Sequence, residues 1–150
     1  MEVTLSLSRS AVFNEVARSS SYTGAKMPGD ADAYARIPTV DEDEDELCRF
    51  WDESRAEVCR AFIRMLVSEG MCGDGDTYRV VLNVSRSFDM ALLPGMELGL
   101  FSYFVKRIIS KWYVYVNKSE AVGYAESSRN LLEEIKEKAY YKKKPVRPTY

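Results

Sequence analysis

The chain opens with strict alternation: Val3, Leu5 and Leu7 against Thr4, Ser6 and Ser8. This period of two marks a strand with one buried face. A short helix starting at Ser10 or Asn14 and holding Val12, Phe13 and Val16 is expected next. Residues 19–38, SSSYTGAKMPGDADAYARIP, then lose all periodicity and are read as a long loop, ordered by itself or by a partner. About 20 structureless residues inside a compact domain are unusual unless they are functional.

Periodicity returns at Thr39. Thr39-Val40-Asp41-Glu42 matches a capping box, and Leu47, Phe50, Trp51, Val58, Ala61, Phe62, Met65 and Leu66 follow at three- and four-residue steps. They predict an amphipathic helix that ends near Gly70, before a turn at Gly73 and Gly75. A second strand is expected from Thr77 to Ser85. Its VVLNVSRS at 80–87 resembles VTLSLSRS at 3–10, which suggests two strands paired with each other on a helical body. Pro94 and Gly95 precede a helix over about 96–116, apolar around most of its circumference through Leu100, Phe101, Phe104, Val105, Ile108, Ile109, Trp112, Tyr115 and Val116. That segment tolerates solvent least and is expected at the centre. Asn117-Lys118-Ser119-Glu120 is a further cap signature, opening a helix to about Tyr141 with Ala121, Tyr124, Ala125, Leu131, Leu132, Ile135 and Ala139 on its inner face. So short a turn forces the last two helices to run antiparallel. Pro145 and Pro148 end regular structure in an extended tail.

The expected architecture is mainly α: a three-helix antiparallel bundle with one or two short β-strands and extended termini and loop. It forms a single domain over residues 1–150, with a helical core at about 39–141, a strand and long loop over 1–38, and a basic tail over 142–150. At 150 residues the chain is long enough to bury a core without disulfides or metals. No uninterrupted apolar run of about 18 residues is present, so no membrane partner is expected. The N-terminus lacks the basic start and apolar block of a signal peptide, which points to action inside the producing cell or in a particle assembled there.

Composition argues against catalysis. The chain has no histidine, which removes the commonest general base, the usual Ser or Cys nucleophile systems and most zinc and iron sites. No catalytic residue, metal or cofactor is therefore assigned. Cys48, Cys59 and Cys72 are odd in number and lack a CxxC pair, so they read as small buried apolar residues. Six consecutive acids at 41–46, DEDEDE, point in every direction from a helix and read as a solvated helix start, or as a patch for a basic partner. Asp74-Gly75-Asp76 lacks the spacing of a calcium loop.

Net charge is only −2, but residues 142–147, KKKPVR, carry four positive charges. KAYYKKKPVRPTY has three readings: an arm across an adjacent subunit, a solvated tail, or a nucleic-acid contact in which lysines meet phosphates and tyrosines stack. The partner-contact candidates are Tyr22, Lys26 and Tyr34 in the loop, and Tyr140, Tyr141, Lys142, Lys143, Lys144 and Arg147 in the tail.

Four segments together, EVARSSSYTGAKM (15–27), YARIPTVDEDEDELCRFWDE (34–53), FSYFVKRIISKWYVYVNKSEA (101–121) and LLEEIKEKAYYKKKPVRP (131–148), resemble small proteins encoded in the morphogenesis regions of tailed phages and prophages of gut bacteria. The resemblance implies a virion structural protein, a head–tail connector, neck or tail-completion component. Such a protein assembles in the host cytoplasm as a homo-oligomeric ring, exchanging loops and termini and meeting the portal or other neck and tail proteins. The alternative is a nucleic-acid-binding or regulatory adaptor that uses the basic tail.

Overall fold

The computed structural model describes residues 1–26 and 43–142, with backbone alone for 22–26. The chain is mainly helical, with four α-helices and one small antiparallel sheet among the described residues. In order these are β1 (Glu2–Ser8), α1 (Arg9–Lys26), α2 (Glu44–Ala61), β2 (Leu66–Met71), β3 (Thr77–Asn83), α3 (Leu93–Val116) and α4 (Lys118–Tyr140).

The two similar strand segments do pair with each other. β3 is the central strand of the order β1-β3-β2, and Val3, Leu5 and Leu7 lie opposite Leu82, Val80 and Tyr78. All six side chains are buried, while Glu2, Thr4, Arg79 and Asn83 on the other face are exposed. One face therefore meets helices and the other meets water, as an antiparallel sheet permits. The outer edge of β1 is partly closed by α3, since the Ser6 N–H donates to Glu97 Oε1 at 3.3 Å.

β2 departs from the expected helix to Gly70. α2 stops at Ala61, and a turn follows in which the Met65 and Leu66 N–H groups both donate to the Phe62 carbonyl. Leu66 then pairs with Leu82, with a register shift between Leu66 and Ser68. No Gly or Pro interrupts residues 58–66. The helix is ended by the pairing β3 offers, a tertiary override of local pattern. The hairpin turns through Cys72–Gly75, where the Cys72 carbonyl accepts the Gly75 N–H at 3.0 Å. Gly75 takes φ +73°, a left-handed conformation that glycine adopts without steric cost.

α1 likewise differs from the expected short helix. It continues to Lys26, so residues 19–26 are helical rather than loop. Within it, the buried Ser20 hydroxyl donates to the Val16 carbonyl at 2.8 Å, which lets a serine-rich stretch stay helical. The Asp74-Gly75-Asp76 turn serves this helix. Asp76 Oδ1 accepts the Ser10 N–H at 2.8 Å, its Oδ2 accepts the Ser8 hydroxyl, and its carbonyl accepts the Arg9 N–H. A helix start is thus capped by a carboxylate nearly seventy residues away, as an anion at the positive end of the helix dipole should do.

Of the two expected helix caps, only the one at Asn117 falls within the described residues. Thr39–Glu42 lies outside the described residues, and Asp43 precedes α2 without a side-chain cap. Asn117 does sit at the α4 N-cap, but its Oδ1 accepts the Ser119 hydroxyl instead of a helix N–H. α3 begins at Leu93, not 96, because Pro94 occupies the first turn, where its missing N–H costs nothing. Asp89 leads into that turn by accepting the Ala91 N–H.

α3 is the central helix, buried through Met96, Leu100, Tyr103, Phe104, Val105, Ile108, Ile109 and Tyr113. α3 and α4 are antiparallel. Gly99 lies against Ile135, Lys106 bonds Ser127, and Tyr113 meets Tyr124 edge-on. A Cβ on Gly99 would stand 3.2 Å from the Ile135 side chain, so the absence of a side chain sets how closely the two helices approach. Among the described residues no helix is long and apolar enough to cross a membrane.

At the centre, Trp51 of α2 stacks on Phe104 of α3 at 4.4 Å between ring centroids. Tyr78 of β3 meets both rings edge-on, at 5.5 and 5.4 Å, and Phe13 of α1 meets Trp51 at 6.1 Å. Trp51→Ala should therefore cost about 3–5 kcal/mol in urea denaturation. Tyr115→Ala, at a residue 64% exposed, should cost less than about 1 kcal/mol.

Candidate functional site

Two tyrosines of the core carry their hydroxyls outward to carboxylates on the body's polar shell. Tyr78 donates to Glu69 of β2 at 2.7 Å, and Glu69 is gripped by Arg55 of α2 at 3.1 and 3.2 Å. Tyr103 of α3 donates to Glu57 of α2 at 2.7 Å, and Arg107 grips Glu57 at 2.9 and 3.0 Å. Each relay satisfies a phenol whose ring is buried, and each joins different elements. Lys111 extends the second relay, reaching Glu57 at 3.4 Å and Glu53 at 3.1 Å.

Burial pushes the Glu57 carboxyl up, but the hydrogen bonds from Arg107 and Tyr103 and the charges of Arg107 and Lys111 outweigh it. They hold its pKa at about 2. Glu69 is also lowered, burial again being outweighed by Arg55 and Tyr78. Both tyrosines are raised, first by burial and then by the carboxylates they bond. Glu57 is therefore a fixed anion near neutral pH, unsuited to donating a proton and suited to orienting Arg107.

This second relay forms one wall of a cleft of about 270 Å³ between α2, α3 and α4. Glu57 and Arg60 come from α2, Tyr103 and Arg107 from α3, and Ser128 and Arg129 from α4, with Ala125 and Leu132 completing the α4 side. Three guanidiniums face one carboxylate. Arg107 is committed to Glu57, whereas Arg60 and Arg129 make no ion pair among the described residues and are exposed. The arrangement suits recognition of a carboxylate or phosphate, which a guanidinium meets with two parallel hydrogen bonds.

None of the contact residues expected from the sequence lines this cleft. Its signal was the four-residue spacing of Tyr103, Arg107 and Lys111 on a largely apolar helix, facing Glu53 and Glu57 spaced the same way. Of the expected contact residues, Tyr22 and Lys26 lie on the last turns of α1 with their side chains outside the described set, and Tyr34, Lys143, Lys144 and Arg147 lie outside it altogether. Tyr140 and Tyr141 are 53% and 52% exposed at the end of α4. Lys142, beside them, forms an isolated antiparallel bridge with Phe88, whose side chain is buried. Cys48, Cys59 and Cys72 are only partly buried, not core residues as expected, and burial raises the thiols of Cys48 and Cys59.

No protein-family model matches the chain, no curated protein matches it, and no solved structure matches it.

The depressed Glu57 pKa sets a pH dependence. A carboxyl lower in the folded than in the unfolded chain stabilises fully above its unfolded value, about 4.5, and that contribution is lost as pH falls through about 2. Glu57→Gln should destabilise by about 2 kcal/mol near neutral pH. The gap in melting temperature between the parent and Glu57→Gln should narrow steadily from pH 5 to pH 2, as followed by circular dichroism.

Proposed function

We propose that this chain is a virion structural protein, a head–tail connector, neck or tail-completion component that works by packing as a ring of identical copies. The observation that supports this most directly is the root of its basic arm. Tyr140 and Tyr141 expose about half their surface at the end of α4, and Lys142 is tied back to Phe88 by backbone pairing. An arm that leaves from a held position, with two aromatic side chains at its base, meets a neighbour with less entropy to lose than a free tail would. Tyrosine is also a residue type that concentrates binding energy at interfaces. The placement of this protein in a phage particle rests on the resemblance of its four segments to phage morphogenesis proteins. Its self-association rests on the arm.

Solution mass tests the reading. The full chain is expected to sediment at micromolar concentration as a defined oligomer. A chain ending at Lys142, which keeps the bridge to Phe88, should melt within a few degrees of the parent and remain monomeric. A parent that is monomeric across that range, or a truncated chain that assembles normally, defeats the proposal. A monomer that binds duplex DNA with a steep salt dependence, lost on neutralising Lys142–Lys144, would favour the nucleic-acid adaptor instead.

A further inference from the structure

We infer that the arginine cleft at the C-terminal end of α2 receives the acidic start of α2 from a second copy of this chain. This rests on the self-association proposed above and supplies it with a specific contact. Arg60 and Arg129 stand exposed at the cleft without an ion pair among the described residues, while Glu57 already occupies Arg107. The complementary group lies on the same helix. Glu44, Asp45 and Glu46 form the first turn of α2, all exposed, and Glu44 and Asp45 make no ion pair among the described residues.

These two surfaces cannot satisfy each other within one copy. Sixteen residues of helix separate Glu44 from Arg60, about 24 Å along the axis. The contact must therefore run from one copy to the next, joining two different surfaces. Such a head-to-tail contact leaves an unused acid turn at one end and an unused cleft at the other. It propagates until the rotation closes it into a ring or extends it as a filament. The same separation that leaves each copy unsatisfied thus makes the assembly repeat. Charges on the rim of such a contact mainly select the partner and speed its encounter, so the assembly should loosen with salt.

Neutralised variants test this in the full chain. Arg60→Gln with Arg129→Gln removes the cleft's unpaired charge, and Glu44→Gln with Asp45→Asn removes the acid's. All four side chains are exposed, so circular dichroism melts should stay within a few degrees of the parent, the acid pair losing only its helix-dipole contribution, and separate misfolding from lost contact. Each variant alone should self-associate at least about tenfold more weakly than the parent, as read by analytical ultracentrifugation. An equimolar mixture should favour one-to-one pairs over longer assemblies, because each pair has one restored acid–cleft contact while its free ends offer only the weakened one. If both variants assemble like the parent, or if the mixture stays monomeric while the parent assembles, the head-to-tail contact is overturned and the ring reading stands without it. A parent that does not self-associate overturns both.

Discussion

The stacking of Trp51 on Phe104, with Tyr78 set edge-on against both rings, is the contact on which the other elements converge. Each ring comes from a different element, so none can be placed until α2, β3 and α3 are all present. Phe13 brings α1 to the same point. Aromatic rings bury large areas and interlock at defined angles, so this cluster fixes both the distance and the rotation of its elements. The polar shell follows from it. Tyr78 and Tyr103 extend from the core with hydroxyls that require partners, and Glu69 and Glu57 meet them. The two carboxylates in turn hold Arg55 and Arg107. α2 is thereby bound on two sides, once to the sheet and once to α3.

The second of these relays has an outward consequence. By occupying Arg107 with Glu57, it builds one wall of the cleft and leaves Arg60 and Arg129 without an ion pair among the described residues. Binding surfaces gain from groups held before a partner arrives, because less freedom is lost on contact. The same logic applies at the end of α4, where the Lys142–Phe88 bridge holds the backbone that follows the helix against the body. The exposed charges of the cleft and the end of α4 are thus positioned by the core rather than merely left over outside it.

The elements legible in the sequence were those whose pattern follows from their own packing. β1 and β3 alternate because each has one face on helices, and the resemblance between their sequences reflects that shared inward-facing pattern rather than their antiparallel register. α3 is apolar nearly all round because it is central, and the one-residue link at Asn117 compels α4 to run back along it. β2 was not legible, since LVSEGM has no alternation: its burial is uneven and its register shifts beside Val67. The extent of α1 was also hidden, because Ser, Gly and Tyr weaken the helical pattern over 19–26 while packing and the serine-to-carbonyl bond sustain it. Asp74-Gly75-Asp76 showed its turn chemistry, but not that Asp76 would cap a helix starting at Arg9.

The sequence by itself determined the mainly helical class, two strands paired with each other, the central helix and its antiparallel neighbour. Each follows from local periodicity and chain connectivity, which a single segment carries within itself. Only the tertiary structure decided where α2 yields to a strand, which carboxylate caps α1, and that Glu57, Arg60, Arg107 and Arg129 meet in one cleft. Those outcomes depend on pairings between segments distant along the chain. Hydrogen bonds and ion pairs of that kind leave no periodic trace in the residues that form them.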